Sequence, residues 1–430
     1  MSSPSIVYLR RLGNARALAD ALAQDPDLPS RSVVDQQRAL DAAHGPFSAP
    51  MATELRALGW DASELILGVP SVRDAWVREH GPLPDVPGVE DPDVRMAVGE
   101  IVRRRPDVVL DVNVTALGRH TVPYLRRTVP EVRVLAGRMG TAKRYHRALH
   151  LDLSLVPCGV VADAVRPYLG GTVAVLPHSF DPAIVDGLPP RHVEHPLVFT
   201  GVLGPRYALR HEVLMALLAA TPTEAWIGLR KGVVRGDDGR LTFGAGRRSL
   251  RSELVERLPV RLLAAGARRS DRFAAPFDRA LAERSGGTTR FPSSLPDPLH
   301  AFPDRCHPAV AGRAYLELVR RSGAVVHRET DDLDGCGGAL RLFEVTGVGA
   351  ALLVDDSPMV RRLFEPDVEV VTYRSPAEAV EKARWLLDHP QERERIAAAG
   401  QARTLRDHST AVRAAELDVL LRDALADARR

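Results

Sequence analysis

Short apolar segments rich in β-branched residues alternate along the chain with longer segments whose apolar residues recur every three or four positions. The short segments are typical of buried strands and the longer ones of amphipathic helices. Their regular alternation predicts an α/β fold built from βα units around parallel sheets. The strands predicted in the first half are 5–9, 64–69, 107–112, 132–136, 153–157 and 173–176. Those predicted in the second half are 197–201, 225–229, 260–264, 324–327, 350–354 and 368–373.

Six strands in each half predict two Rossmann-like domains, at 1–180 and 197–408. The segment between them, 181–196, contains four prolines and no helical stripe. Such a segment is typical of an interdomain linker. A separate C-terminal helix is predicted at 409–430, because apolar residues recur there with helical spacing.

Two segments do not fit this alternation. Residues 24–47 are polar and show no sustained period, which predicts a loop beside the first domain. Residues 267–305 carry six arginines followed by four prolines. We interpret this second segment as a mobile insertion, to which the sequence assigns no role.

Composition restricts the function before any motif is considered. The chain of 430 residues has 58 Lys and Arg against 55 Asp and Glu, a net charge of +3. This balance argues against a general nucleic-acid or membrane-surface role. Three widely spaced cysteines without a CxxC pair predict neither a disulfide framework nor a zinc site. No segment has the length and apolarity of a signal peptide or a transmembrane segment, so the expected location is cytoplasmic.

Candidate binding residues follow the predicted strands, because ligands of open parallel sheets bind at the carboxyl ends of the strands. Gly201 and Gly204 bracket the turn after the first strand of the second domain, and Arg206 follows them. Arg230 and Lys231 follow the next strand. Glycines with nearby cations can hold a phosphate through backbone N–H groups and fixed charge. A solvated surface turn has the same composition, so both interpretations stay open.

The stretch DDLDGCGGALRLFEVTGVGAALLVDD in the second domain is the most specific candidate site. Gly337 and Gly338 precede a helix predicted at 339–346, whose first N–H groups favour an anion. Arg341 and Glu344 share one side of this helix, away from its apolar residues. Glu344 can therefore accept the hydroxyls of a ribose, or it can form no more than a surface ion pair with Arg341.

The segment from LRLFEVTG onward resembles the C-terminal half of CgeB-type glycosyltransferases, relatives of the glycosyl transferase group 1 enzymes with the GT-B fold. That family has an R-x-F-E helix, a strand ending in acidic residues, and a helix with the pattern HP-x-x-R-x-x-I/A-x-x-x-G. The matching residues are Arg341, Phe343, Glu344, Asp355, Asp356, His389, Pro390, Arg393, Ile396 and Gly400. A fainter likeness covers most of the chain but not 267–305.

The resemblance implies a GT-B fold, with two Rossmann-like domains whose parallel sheets face across a cleft, and C-terminal helices. The second domain would bind a nucleotide-sugar donor and the first an acceptor. Glu344 would bind the donor ribose and Arg341 would support the same loop, while Gly201 and Arg206 would lie near the donor phosphates. Cys336 stands where related enzymes often have a second acidic residue, so a retaining mechanism of that type is not indicated.

Glycosyl transfer needs a stabilised diphosphate leaving group and, in an inverting enzyme, a base near the acceptor hydroxyl. Asp111 is a candidate base because it ends a buried strand of the first domain, although it can equally cap the following turn. His44 and His80, beside glycines, are the alternatives. The acidic pairs at 331–332 and 355–356 resemble metal ligands, but such pairs are more often solvated or capping residues. We therefore expect no metal, and no cofactor besides the nucleotide sugar as co-substrate.

The predicted function is metal-independent transfer of a sugar from a UDP, GDP or dTDP donor to a hydroxyl of a small-molecule, glycan or protein acceptor. Two alternatives stay open. A degenerate GT-B protein would bind a nucleotide sugar without turnover, because no base is firmly identified and the acid ahead of Glu344 is missing. A nucleotide-sugar epimerase on the same fold is the second alternative. The donor base and sugar, the acceptor, the stereochemical outcome and the oligomeric state are not predicted from the sequence.

Overall fold

Two six-stranded parallel sheets form the centres of the protein. The computed structural model describes residues 3–12, 15–44, 51–139, 145–243, 258–284, 292–329 and 340–428. The chain divides into two compact units. The first unit consists of Met1–Pro177, Arg251–Leu281 and Thr410–Arg430, and the second of His178–Leu250 and Ala282–Ser409.

The strands of the first unit are β1 (Ser5–Arg11), β2 (Asp61–Leu67), β3 (Val108–Val112), β4 (Val134–Arg138), β5 (Leu153–Val156) and β6 (Thr172–Val175). Those of the second unit are β7 (His195–Leu203), β8 (Glu224–Leu229), β9 (Val233–Arg235), β10 (Arg240–Phe243), β11 (Ser294–Pro296), β12 (Cys306–Pro308), β13 (Ser322–His327), β14 (Ala351–Asp355) and β15 (Val371–Tyr373).

The helices through the first half of the chain are α1 (Ala15–Gln24), α2 (Val33–His44), α3 (Met51–Ala57), α4 (Pro70–His80), α5 (Pro92–Arg104), α6 (Thr121–Thr128), α7 (Tyr145–Ala148), α8 (Gly159–Val165), α9 (Ala183–Asp186) and α10 (Ala208–Ala220). The later helices are α11 (Val260–Arg269), α12 (Ala274–Arg284), α13 (Pro298–Ala301), α14 (Gly312–Arg320), α15 (Leu340–Gly347), α16 (Pro358–Leu363), α17 (Pro376–Asp388), α18 (Pro390–Asp407) and α19 (Thr410–Asp427).

The strand order identifies the ligand-binding edge of each sheet. The first sheet has the order β2-β1-β3-β4-β5-β6, and the second has β12-β8-β7-β13-β14-β15. The order therefore reverses between β1 and β3 in the first unit, and between β7 and β13 in the second. Crevices at the carboxyl ends of such strand pairs are where ligands of open α/β sheets bind.

Several helices begin where the sequence dictates, with a capping side chain followed by proline at the first helical position. Asp91 accepts a hydrogen bond from the Asp93 N–H at the start of α5. Ser357 and Ser375 accept in the same way at the starts of α16 and α17. Proline fits this position because its missing N–H has no intrahelical partner there.

The C-terminal helix α19 completes the core of the first unit. Its buried residues Ala414, Leu417, Leu421 and Leu425 pack in one cluster with apolar side chains of the first sheet and with Met51, Leu55 and Trp60. A domain boundary drawn only along the sequence misses this return of the chain. In the second unit, α10, α17 and α18 supply much of the corresponding core against its sheet.

The observed elements differ from the predicted ones in several places. Residues 260–264 are not a strand but the start of α11, because Val260, Leu263, Ala264 and Ala267 form a buried helical stripe. The sixth strand of the second sheet is instead β12, which the pattern did not identify. The predicted loop at 24–47 contains α2, and the described parts of 267–305 contain α12, α13 and β11.

Two further expectations need correction. The segments Arg251–Leu281 and Thr410–Arg430 belong to the first unit, whereas the prediction placed 197–408 in one domain and the last helix on its own. Cys306 is buried and free.

Candidate functional site

The turn after β7 is built by Gly204 rather than by Gly201. Gly201 lies inside the strand, where an added Cβ would meet the Phe199 ring at 3.3 Å and Arg210 at 3.5 Å. Gly204 begins a single 3-10 turn at Pro205–Tyr207. The strand runs two residues further than predicted, so Gly201 supports close packing beside the site and not the turn itself.

The two predicted cations after β8 differ in their surroundings. Arg230 Nη1 donates to the Tyr207 hydroxyl at 3.0 Å, so it is held against the turn after β7. Lys231 is exposed. Arg206 lies in the same turn as Tyr207, whereas Gly337, Gly338 and Cys336 lie outside the described residues.

Helix α15 brings Arg341 and Glu344 together at the carboxyl edge of the second sheet. Arg341 Nη1 donates to Thr200 Oγ1 on β7 at 2.8 Å, and its guanidinium lies 4.2 Å from the centroid of the Tyr315 ring. Arg341 Nε is 3.6 Å from Glu344 Oε2. The predicted ion pair therefore exists, with Glu344 buried and Arg341 half-buried.

Glu344 has the properties of a ligand-binding carboxylate. The residue is 2 % exposed. Among the residues that the structure describes, its Oε1 has no hydrogen-bond partner. Burial raises the pKa of the carboxyl, and the neighbouring Arg341 guanidinium and Tyr315 hydroxyl oppose that shift. A buried acceptor without a donor is costly, so the pair has unused capacity for a ligand hydroxyl.

Several charged residues of this edge were not identified as site residues from the sequence. Arg210 on α10 donates through Nε to the Arg328 carbonyl at 2.8 Å and stacks over the Tyr207 ring at 4.5 Å. Glu329 follows β13 and is 6 % exposed. Its N–H donates to Asp355 Oδ1 at 3.1 Å. The sequence offers only two signals for them. Arg210 lies in a basic helix after the glycine turn, and Glu329 follows a predicted strand.

Asp355 is a buried ion-pair partner and not a solvated acid. Arg328 Nη1 lies 3.2 Å from Asp355 Oδ2. Burial, reinforced by the charge of Glu329, raises the pKa of Asp355 to about 6 against the effect of Arg328. The adjacent Asp356 is paired with Arg361 and Arg374 at 2.7 and 2.9 Å. The two acids therefore point to different partners.

Asp111 ends β3 as predicted, but its carboxylate is bound by its own loop. The residue is fully buried, and Oδ2 accepts from the N–H groups of Ala116 and Leu117, both at 2.7 Å. Oδ1 is 3.3 Å from the Thr115 hydroxyl. The loop needs this support because Asn113 and Val114 have positive φ values of 67° and 45°. This geometry favours the turn-capping alternative over the catalytic one.

The two predicted histidine bases lie at helix ends. His44 is the last residue of α2. His80 is the last residue of α4, where its exposed ring packs edge-on against Trp76 at 5.2 Å between centroids. The His44 side chain lies outside the described residues, and His80 is not among the residues that line the cavity of the first sheet.

A cavity of about 370 Å³ lies at the switch point of the first sheet. Arg11 reaches it from the end of β1, and residues 115–121 line it after β3. His146 and Arg147 on α7 form another wall, together with residues between 267 and 274. The Asp111-supported loop therefore shapes one wall of the cavity. Another wall comes from Ala267, Asp271 and Ala274, which lie in the stretch 267–305 to which the sequence assigned no role.

Among the residues that the structure describes, no group of three or more His, Cys, Asp or Glu side chains is arranged to hold a metal ion. Likewise, none of the described helices combines the length and the apolarity needed to cross a membrane.

One part of the chain matches a known protein family. Residues 268–418 match the family described as glycosyl transferase-like. This region contains β13, α15 and β14, and so includes Arg341, Glu344 and Asp355. No curated protein matches the sequence significantly.

The similarity to solved structures covers nearly the whole chain. A glycosyltransferase from Rickettsia africae ESF-5 has a TM-score of 0.55 at 8 % identity, covering 99 % of both chains. Sucrose-phosphate synthase from Thermosynechococcus elongatus has a TM-score of 0.52 at 11 % identity, covering 99 % of this chain and 100 % of its own. Anabaena HepE, solved in complex with UDP-glucose, has a TM-score of 0.51 at 12 % identity, covering 97 % of this chain and 99 % of its own. The fold is thus that of the GT-B glycosyltransferases.

Proposed function

We propose that the protein is a glycosyltransferase, which moves a sugar from a nucleotide-sugar donor to an acceptor hydroxyl without a metal ion. The observation that carries this proposal is the buried Glu344, whose Oε1 has no donor among the described residues. A ribose hydroxyl is a donor of the right kind for that oxygen. The match of residues 268–418 to a glycosyl transferase-like family supports the same assignment.

The donor class is proposed from the same edge of the second sheet. Arg210, Arg230 and Arg341 are fixed by hydrogen bonds or by stacking on Tyr207 and Tyr315. Preorganised cations of this kind can stabilise a diphosphate leaving group without a metal. One structural neighbour was solved with UDP-glucose, so UDP sugars are the first donors to test, followed by GDP and dTDP sugars.

The first experiment is a screen of nucleotide sugars for binding and for release of the nucleoside diphosphate. We expect one class to raise the thermal stability of the protein and to be hydrolysed slowly, with no loss of rate in EDTA. If no nucleotide sugar binds, the proposal is wrong. Loss of hydrolysis on chelation would contradict the metal-free mechanism.

Substitution of Glu344 tests the ribose assignment. Hydrogen bonds to a charged acceptor contribute about 1.5 to 3 kcal/mol, so E344A should weaken donor binding by about 10- to 100-fold. E344Q keeps the shape and one acceptor, and we expect an intermediate loss. Titration calorimetry measures both, with E381Q on the exposed side of α17 as the control. Unchanged affinity in E344A would remove Glu344 from the donor site.

Binding without turnover is the second candidate function, and Asp111 is the observation that favours it. The carboxylate expected to act as base is fully buried and bound to its own loop. Such a protein would bind the nucleotide sugar in the screen and release no diphosphate with any acceptor. The same screen therefore distinguishes the two functions.

A further inference from the structure

A histidine and an aspartate from distant parts of the chain form a pair at the cavity of the first unit. The backbone N–H of His146 donates to Asp278 Oδ1 at 2.8 Å, and the ring Nδ1 lies 2.8 Å from Asp278 Oδ2. His146 is the second residue of α7, and Asp278 lies on α12. Both oxygens of one carboxylate thus fix the backbone and the ring of the same residue.

This geometry determines which ring nitrogen is available. A carboxylate beside Nδ1 favours the tautomer with the proton on Nδ1, which leaves Nε2 as an acceptor. The His146 side chain is 21 % exposed and lines the cavity. No hydrogen bond to Nε2 occurs among the described residues. The pair therefore combines an oriented imidazole, a free acceptor nitrogen and access to a cavity.

Two arginines that line the cavity already have partners. Arg119 is bound to Asp271 at 2.6 Å and to the Arg269 carbonyl at 3.1 Å. Arg11 Nη2 donates to Asp93 at 2.8 Å. The Arg119 contacts link the loop after β3 to the connection between α11 and α12, and α12 carries Asp278.

We propose that His146 is the general base of the transfer reaction, that Asp278 is its positioning residue, and that the 370 Å³ cavity holds the hydroxyl-bearing part of the acceptor. This inference rests on the proposed function. It assigns the role that the sequence gave to Asp111, His44 or His80 to a residue that lines the cavity.

The acceptor oxygen forms a bond to the anomeric carbon of the donor sugar while the bond from that carbon to the diphosphate oxygen breaks. The acceptor proton moves to His146 Nε2, and the Asp278 carboxylate stabilises the imidazolium that forms. The electron pair of the broken bond leaves with the nucleoside diphosphate. A single displacement of this kind inverts the configuration at the anomeric carbon.

Water and azide are suitable probe acceptors, because water must lose a proton on attack and azide need not. The donor is the nucleotide sugar that gives the largest thermal stabilisation in the screen. In H146Q we expect diphosphate release to water to fall by about 100-fold or more, the usual contribution of a general base. Donor affinity should stay within about twofold of wild type by the same principle, because His146 does not bind the donor. Azide should restore release and yield a glycosyl azide of inverted configuration.

The pH dependence provides a readout that a structural role would not change. The wild-type rate should fall on the acid side, because a protonated ring cannot accept a proton. H146Q should lack this acid limb. D278N should lower the rate of release to water without changing donor affinity, because the ring loses the carboxylate that orients it. The titratable and charged groups around His146 are Tyr145, Arg147, His150, Arg119, His120, Arg268, Asp271 and Asp278.

The controls separate the possible outcomes. H192Q, an exposed histidine of the second unit, should behave as wild type. Donor binding with unchanged release and an unchanged acid limb in H146Q would overturn the inference while leaving the proposed function intact, as would loss of release in H80Q instead. A wild-type protein that binds donor but yields no product with water or azide would also overturn it. Failure to bind any nucleotide sugar would reject the proposed function itself. Matching thermal unfolding of each variant excludes misfolding.

Discussion

Burial shifts the pKa values of two ionisable residues at the carboxyl edge of the second sheet in opposite directions. His327, at the end of β13, has its pKa lowered to about 4, chiefly by burial and against the effect of Glu329. Asp355, at the end of β14, has its pKa raised to about 6. Both residues are therefore driven toward their neutral forms, and the two shifts act on stability with opposite signs.

The histidine predicts a measurable loss of stability in acid. Unfolded His327 binds a proton near pH 6.5 but folded His327 only near pH 4, so its contribution is present above pH 6.5 and is lost as the pH falls to 4. The lost contribution is at most about 3 kcal/mol. Asp355 partly offsets this loss of stability. As the pH falls, its carboxyl takes up a proton in the folded protein before it does so in the unfolded chain.

H327Q isolates the histidine effect. Between pH 7 and pH 4.5 its free energy of unfolding should fall less steeply than that of wild type. Urea unfolding at several pH values measures the difference, with H389Q on the surface as the control. Parallel pH profiles for wild type and H327Q would show that His327 is not held neutral by burial.

At the scale of the element, α15 is enclosed more completely than its sequence pattern predicts. The pattern placed Leu340, Phe343 and Gly347 on a buried side and Glu344 on an accessible one. In the structure every residue from Leu342 to Gly347 is buried. A helical wheel describes one contact face, whereas this helix packs against its sheet, α14 and α18.

Gly347 packs against Phe180 with no room for a side chain. A Cβ added there would lie 2.7 Å from three atoms of the fully buried Phe180 ring. We therefore expect G347A to reduce the free energy of unfolding by about 1 to 3 kcal/mol, as overpacking does. G159A is the matched control, because an added Cβ at Gly159 meets nothing within 4 Å. Chemical denaturation measures both, and equal stability of G347A and wild type would mean that Phe180 moves aside freely.

At the scale of the whole chain, the first unit is assembled from three separated segments. The last of them, α19, buries Leu417, Leu421 and Leu425 beside Trp60, whose indole N–H donates to Asp418 at 2.6 Å. The end of the sequence is thus part of the core that begins with β1. Truncation at the predicted boundary near residue 408 would remove these side chains from that core.

Two substitutions by alanine on α19, one at a buried and one at an exposed residue, should have very different effects. Leu421 is fully buried, and L421A should lower the free energy of unfolding by about 2 to 5 kcal/mol through lost burial and a residual cavity. Val419 is 57 % exposed, so V419A should change it by less than about 0.5 kcal/mol. Calorimetry of both variants tests this, and similar effects would contradict the docking of α19 on the first unit.

The sequence by itself determined the α/β class and eleven of the twelve predicted strand positions, because strand and helix periods are local properties of the chain. It also selected Arg341 and Glu344, which are neighbours on one helix. Tertiary structure decided the rest. It buried Glu344, committed Asp111 to its own loop, and brought Asp278 to His146 across more than a hundred residues of sequence. Contacts between residues so far apart have no local pattern, since they depend on how α11, α12 and α19 return to the first sheet.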